Sequence, residues 1–307
     1  MRALIATGNI DRLVEMGEVA VPSPSEHEIL VEVEAFSLNR PDFLWLAAPG
    51  SQWRVGIDFV GRVTEPARDG TGPARGDRVM VHAPHGGGGA EFAVAHARQA
   101  VTLPAEISNP VAAALPLAGL VALRLVREAG IRRGHRVLIT GATGGVGHLA
   151  VQLALNIGAT VTALARPIEK TDSIEARGAR VIHSLDDVSE PFDVILESIG
   201  GDTLTQALLK LSHKGLVMWF GAASGQAASI DFFSFFPDRS SFTIKHFVYN
   251  EVGGDDFLDL SHLVDLVTKN VLTIDVSREA SWSQTSEILN AIKLGAVAGK
   301  SVLIVKN

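Results

Sequence analysis

Apolar and polar positions follow two different rhythms along this chain. From His135 onward, short runs of apolar residues alternate with helix-like segments. His135–Thr140 reads as a strand and is followed by a glycine turn. Val146–Ile157 reads as a helix with Gly158 as its stop signal. Thr160–Ala165 is the next strand, and Lys170–Arg177, closed by Gly178, the next helix. Val181–His183 and Phe192–Leu196 are further strands, Leu204–Leu211 a helix and Leu216–Phe220 one more strand. Strands that are apolar on both faces and alternate with helices predict a parallel sheet covered on both sides, a doubly wound α/β arrangement. The N-terminal part differs. Its strand candidates, Ile29–Ala35, Phe59–Thr64, Arg78–His82 and Glu91–Ala95, are separated by turns rich in proline and glycine. They predict a partly open β-barrel. Ser301–Val305 is a strand that returns to it, so the doubly wound unit is inserted in a discontinuous domain. The expected boundaries are 1–112 with 247–307 for the barrel-like domain and 113–246 for the insert.

Composition narrows the class. The 307 residues are 47% hydrophobic and 20% charged, the balance of a chain that buries a core. There is no cysteine, which excludes disulfides, thiolate catalysis and cysteine-ligated zinc, and fits a reducing compartment. A net charge of −7 argues against a nucleic-acid surface. Met1–Ala6 reads as a first strand with no signal pattern. The uncharged stretch from Ile107 to Leu123 is interrupted by Pro110, Pro116 and Gly119 and ends at Arg124, so it reads as buried helix rather than a membrane span. The expectation is a cytoplasmic protein acting on a small molecule, with neither nucleic acid nor membrane as partner.

Gly141-Ala142-Thr143-Gly144-Gly145-Val146-Gly147 carries the most information. It follows a strand and opens a helix, the context in which glycines let backbone N–H groups approach a pyrophosphate and the helix N-terminus adds its dipole. In that setting the insert is a Rossmann-like dinucleotide-binding domain. NAD sites carry an acid at the end of the second strand, for the ribose 2′-hydroxyl. Here that strand ends Ala165-Arg166-Pro167, with Lys170 close behind and no acid before Glu169. A guanidinium and an ammonium suit a 2′-phosphate, so NADPH is the expected cofactor. The bland alternative is a pair of solvated surface cations. Short-chain dehydrogenase chemistry is excluded, because it needs Tyr-x-x-x-Lys and the sole tyrosine, Tyr249, is followed by Gly253 at the lysine position.

Together with their flanks, these residues resemble the zinc-independent quinone oxidoreductase branch of the medium-chain dehydrogenase/reductase superfamily. The likeness rests on the order of Ser37-Leu38-Asn39-Arg40-Pro41-Asp42, Gly56-Ile57-Asp58-Phe59-Val60-Gly61-Arg62-Val63, Gly76-Asp77-Arg78-Val79 and Gly88-Gly89-Ala90-Glu91-Phe92. It continues through Gly147–Ala154, Ser198-Ile199-Gly200-Gly201 and the terminal Gly299-Lys300-Ser301-Val302-Leu303. The resemblance implies a GroES-like catalytic domain around the Rossmann insert, a cleft with the nicotinamide at its base, and a homodimer formed through the Rossmann edge. It implies that Ala142, Thr143, Gly144, Gly145, Val146 and Gly147 hold the pyrophosphate and that Arg166 and Lys170 hold the adenosine phosphate. Ser198, Gly221 and Ala222 would line the cofactor beyond later strands, with Asn39 near the nicotinamide. Zinc-dependent relatives have cysteine and histidine where this chain has Asn39 and Asp58, so no zinc is expected by that route. Two departures stand out. The family's Leu-Thr-Ala element is Leu120-Val121-Ala122 here, and the stretch from Asp42 to Gly56, with Trp45 and Trp53, looks short.

The implied reaction is reduction of a quinone or another α,β-unsaturated carbonyl by direct hydride transfer without metal. Enoyl thioesters or a biosynthetic intermediate are alternative substrates, and a non-catalytic NADPH-binding sensor is the rival from another class. With no metal, a hydrogen-bond donor must meet the charge that develops on the carbonyl oxygen. Asn39 is the candidate, against a structural role in bracing the turn before Asp42, itself read as a turn or cap residue. His82 and His85 precede Gly86–Gly89, read as a mobile loop, and are candidate proton donors only in the weaker reading. His148 reads as packing or capping. Phe232–Phe236 is either pocket lining or dimer interface.

Overall fold

The computed structural model describes residues 1–236, 241–295 and 299–306. The chain divides into two compact units, 1–120 with 255–307 and 121–254.

The N-terminal elements are β1 (Arg2–Ala6), β2 (Val14–Glu18), β3 (Glu28–Leu38), α1 (Arg40–Leu46), β4 (Asp58–Glu65), β5 (Arg78–His82), β6 (Phe92–His96), β7 (Ala100–Thr102) and α2 (Asn109–Ala114). The division between units falls within α3 (Pro116–Glu128). Then follow β8 (Arg136–Thr140), α4 (Gly147–Ile157), β9 (Thr160–Leu164), α5 (Asp172–Glu175), β10 (Arg180–Ile182), β11 (Phe192–Glu197), α6 (Gly201–Leu208), β12 (Leu211–Trp219) and β13 (Thr243–His246). The first unit is completed by α7 (Asp256–Thr268), β14 (Val276–Ser281), α8 (Thr285–Lys293) and β15 (Lys300–Ile304).

In the first unit a seven-stranded sheet runs β14-β15-β3-β4-β5-β7, with β6 also on β3, and β1 and β2 form a separate hairpin. The pairs from β15 to β7 are antiparallel. Alternating apolar positions of β3 to β5 and β15 build the core, where Ile29, Phe36, Phe59, Val79, Val81 and Leu303 are fully buried. The return of the C-terminal strand is observed, as β15 pairs with β3 from Ser301 opposite Leu38.

The second unit is a six-stranded sheet in the order β10-β9-β8-β11-β12-β13, parallel throughout. This is the Rossmann-like doubly wound sheet, with its order reversing between β8 and β11. Leu138, Ile195 and Val217 are among the strand residues of the core, which also contains Leu204 and Leu208 of α6.

Element boundaries move where glycines and polar ends override the apolar rhythm. The helix read over Leu204–Leu211 starts earlier, because Gly200 and Gly201 take positive φ (74° and 54°) and open α6 directly after the turn. The helix expected over Lys170–Arg177 shrinks to Asp172–Glu175. No helix among the described residues is long and apolar enough to cross a membrane.

Candidate active site

The C-terminal ends of the parallel strands gather the proposed cofactor residues on one edge of the second sheet. Thr140 ends β8, and the next residue, Gly141, has φ of 60°. Gly144 N–H donates to Gly141 O at 3.0 Å. A side chain at Gly147 would place its Cβ 2.2 Å from Gly141 O and 2.8 Å from Ala142 Cα, so only glycine lets α4 start this close beneath the turn. His148, read as packing or capping, is buried, and its Nδ1 is 2.9 Å from Gly144 O. Ser198 follows β11. Its N–H donates to Thr140 Oγ1 at 2.9 Å and its hydroxyl to Thr140 O at 3.2 Å. Gly221 and Ala222 follow β12. A Cβ at Gly221 would lie 2.9 Å from Ser198 O, and Ala223 N–H donates to the same oxygen at 2.9 Å. The turns after β8, β11 and β12 therefore form one contiguous surface of backbone and small side chains.

Two acids that the sequence reading left unassigned organise this edge. Glu197 ends β11 and is fully buried. Its carboxylate accepts from Ile199 N–H at 2.9 Å, Gly200 N–H at 3.0 Å and the Thr140 hydroxyl at 3.2 Å, tying the turn after β11 to β8. Burial pushes its pKa up against these three donors. Glu169 follows β9. One carboxylate oxygen accepts from Arg166 Nε at 2.9 Å, the other from Arg166 N–H at 2.8 Å, and the Thr143 hydroxyl also binds it. Arg166 and Lys170 are exposed at this place, as the phosphate reading requires, but Arg166 is ion-paired to Glu169.

The first unit concentrates its buried charge at one edge of its own sheet. Lys300 begins β15, Asn39 follows β3, Asp58 begins β4 and His82 ends β5, and these four strands are consecutive neighbours. Asn39 Nδ2 donates to Asp58 Oδ2 at 2.9 Å, while Lys300 Nζ donates to Asn39 Oδ1 at 2.5 Å and to Leu38 O at 3.3 Å. The Lys300 ammonium lies 3.9 Å from Asp58 Oδ2. The other Asp58 oxygen is 2.9 Å from His82 Nδ1 and accepts from Leu117 N–H at 3.1 Å. Lys300 is 4% exposed, and Asp58 and His82 are fully buried. Burial lowers the Lys300 pKa, opposed by the charges of Asp58 and Asp42.

Asn39 also carries out the bracing role: its N–H donates to Asp42 Oδ2 at 3.0 Å at the start of α1. Asp42 Oδ1 accepts from Trp53 Nε1 at 3.2 Å and Gly56 N–H at 3.1 Å, and the Trp53 ring packs edge-on against Trp45. Asp42 is therefore a buried cap residue. Burial pushes its pKa up to about 6 against these three donors. Because this folded value lies above the unfolded one, its contribution to stability is full below about pH 4 and is lost as pH rises through about 6. The Trp53 indole N–H resonance is expected to shift with a midpoint near pH 6. A resonance that stays flat from pH 5 to 7.5 would contradict this assignment.

Two expectations are corrected. The glycine run is not a loose loop. Gly87 N–H donates to Arg54 O at 3.0 Å, Gly88 to Gly56 O at 2.9 Å and Gly89 to Val55 O at 2.8 Å, and a Cβ at Gly86 would meet Arg54 O at 1.8 Å. Glycine is used here for close backbone packing. The second correction concerns His82, which is not a lone loop histidine but ends β5 with a partner. His82 is locked on Asp58, and His85 is exposed. Phe232, Phe233 and Phe236 are 67%, 75% and 62% exposed and pack on one another, whereas Phe235 turns in to Phe242 at 4.9 Å between ring centres.

Comparison with known proteins agrees with both units. Residues 25–105 match the alcohol dehydrogenase GroES-like domain, and residues 145–267 match the zinc-binding dehydrogenase family. The chain is 38% identical over 182 residues to a chloroplast envelope quinone oxidoreductase homolog of Arabidopsis thaliana, a match that spans 53% of this chain and 55% of that relative. Its fold matches a quinone oxidoreductase of Coxiella burnetii with a TM-score of 0.85 at 26% identity, covering 100% of this chain and 99% of that one. It also matches the Escherichia coli quinone oxidoreductase solved with NADPH, with a TM-score of 0.86 at 24% identity over 99% of this chain and 100% of that one. With these matches falling on the barrel-like unit and the glycine-turn unit in turn, the chain carries an alcohol dehydrogenase GroES-like domain followed by a zinc-binding dehydrogenase domain and is similar to the quinone oxidoreductase branch of the medium-chain dehydrogenase/reductase superfamily.

Proposed function

We propose that the chain is an NADPH-dependent oxidoreductase that reduces a quinone or another α,β-unsaturated carbonyl. The observation that carries this reading is the edge of the second sheet, where a tight glycine turn, two small-residue turns and two exposed cations follow adjacent parallel strands. In this reading residues 121–254 bind the dinucleotide, with Ala142 to Gly147 at the pyrophosphate, Arg166 and Lys170 at the 2′-phosphate, and Ser198, Gly221 and Ala222 along the remainder. A cradle that a single Cβ would fill fits a pyrophosphate held by backbone N–H groups. NADPH supplies the hydride when bound.

The substrate carbonyl needs a donor as charge builds on its oxygen. Asn39 fits this role through the way its amide is fixed. Lys300 offers only donors, so it faces the amide oxygen, and Asp58 Oδ2 accepts from the amide nitrogen. One amide hydrogen is used by Asp58 and the second is left to donate. The bracing role and the donor role use different atoms of Asn39, so they are compatible.

The reading includes a homodimer and a cytoplasmic setting. The dimer is supported by β13, an edge strand whose four residues are all exposed, and the cytoplasm by a chain without cysteine. The test is NADPH oxidation at ~340 nm against quinones, enones and enoyl thioesters, with NADH in parallel, on protein sized by sedimentation. Turnover by a dimer that prefers NADPH is the expected result. Clear NADPH binding without turnover on any of the three classes would instead favour a cofactor sensor.

A further inference from the structure

We propose that Glu169 sets how strongly this protein distinguishes phosphorylated from unphosphorylated nicotinamide dinucleotides, by holding part of the Arg166 charge in an ion pair that a 2′-phosphate must share. The inference rests on the reading above that Arg166 meets that phosphate.

The geometry is specific. Glu169 N–H donates to Arg166 O at 3.0 Å, closing a tight turn just after β9. Its carboxylate then returns to grip both Arg166 N–H and Nε, and takes the hydroxyl of Thr143 from the glycine turn. The Glu169 side chain is 14% exposed and its partner 57%. The acid is therefore the inner member of the pair and the guanidinium the outer one. Burial raises the carboxyl pKa, but the Arg166 and Thr143 donors outweigh it and hold the group below its usual range. It is a full negative charge at neutral pH.

That charge bears on the two dinucleotides unequally. Arg166 and Lys170 bring two positive charges to the end of β9, and Glu169 cancels one of them. A 2′-phosphate meets a carboxylate lodged behind its own clamp, whereas a neutral ribose diol meets no such repulsion. Two unit charges about 6 Å apart in an effective dielectric of about 40 differ by roughly one tenfold step in affinity. Glu169 thus lowers the preference for NADPH that Arg166 and Lys170 create. The same carboxylate, joined to Thr143, keeps the turn after β9 registered on the glycine turn, a benefit shared by both cofactors.

Glutamine at this position keeps the size but only one of the two acceptor oxygens, so it holds either Arg166 Nε or Arg166 N–H and not both, and it removes the charge. By calorimetric titration, Glu169→Gln is expected to tighten NADPH binding about tenfold and to leave NADH within about twofold. Glu169→Ala serves for the same measurement should the glutamine variant not fold. Weaker NADPH binding, or equal shifts for the two cofactors, would overturn the inference, since Glu169 would then be orienting Arg166 or bracing the turn alone. Arg166→Ala, titrated alongside, separates the two levels. It is expected to weaken NADPH by tenfold or more with little change for NADH. Equal loss for both would remove the phosphate assignment of Arg166 itself, and the inference with it.

Discussion

Replacing Lys300 by methionine is expected to lower the stability of the first unit by about 3–5 kcal/mol, the range for removing one partner of a buried ion pair, and its unfolding midpoint by about 10 °C. Lys300 is 4% exposed and its ammonium serves Asn39 Oδ1 and Leu38 O directly, with Asp58 at 3.9 Å. Methionine fills similar space but removes the donor shared by Asn39 Oδ1 and Leu38 O and the buried cation beside Asp58. Turnover should fall about 100-fold at little cost in KM, because the Asn39 amide loses the contact that fixes which end faces outward. Thermal unfolding that moves by less than about 2 °C, together with unchanged turnover, would show the network to be dispensable.

A second substitution, at Asp58, reads out the orientation of the Asn39 amide. In Asp58→Asn alone, Leu117 N–H holds the new amide oxygen at the Oδ1 position and Lys300 holds that of Asn39, so the two NH₂ groups meet and a buried donor pair clashes. In the double variant with Lys300→Met, Asn39 is free to flip and accept from that NH₂. The double variant should therefore be more stable than the sum of the two single losses implies, by about 1–3 kcal/mol of coupling energy. Additive losses would mean that the amide is oriented by something other than Lys300.

This network also marks the limit of what the sequence discloses. The strands that bear it were legible from their alternation, and β5 falls where Arg78–His82 was expected. The motifs around Asn39, Asp58 and Lys300 were each legible as well. Their meeting was not, because Lys300 is 261 positions from Asn39 and reaches it only through the pairing of β15 with β3. In the second unit the order of strands and the glycine turn follow directly from local signals, since a parallel sheet places successive turns on one edge. Glu197 gave a faint signal, an acid closing the apolar run Val194–Leu196. Glu169 gave a misleading one, because an acid three residues beyond Arg166 reads as surface until the turn brings it back onto Arg166 and Thr143. The β13 edge strand lies beyond the last strand of the second unit recognised by pattern, with all four of its residues exposed and so no apolar alternation to betray it.

Gly147→Ala is expected to have the other large effect, loss of both cofactor binding and fold stability in the second unit. The added Cβ would lie 2.2 Å from Gly141 O, 2.8 Å from Ala142 Cα and 2.9 Å from Gly141 C, all backbone atoms of the turn. No rotamer change relieves such a contact, so either α4 moves off the sheet or the turn opens. The turn is held from its other side as well, since Gly141 O accepts from Gly144 N–H and Thr140 is bonded to Ser198 and Glu197. Overpacking of this kind costs about 1–3 kcal/mol, occasionally more, and a displaced turn no longer presents its N–H groups to a pyrophosphate. Gly144→Ala is the informative contrast. Its Cβ would meet only Gly141 O, at 3.2 Å, which a shift of a few tenths of an ångström relieves. If the turn binds the pyrophosphate closely, Gly144→Ala should keep its unfolding midpoint within about 2 °C and still lose NADPH affinity by calorimetry, whereas Gly147→Ala should lose both. A Gly147→Ala protein with unchanged midpoint and unchanged NADPH binding would mean that the close approach of α4 to the turn is not what glycine is needed for at that position.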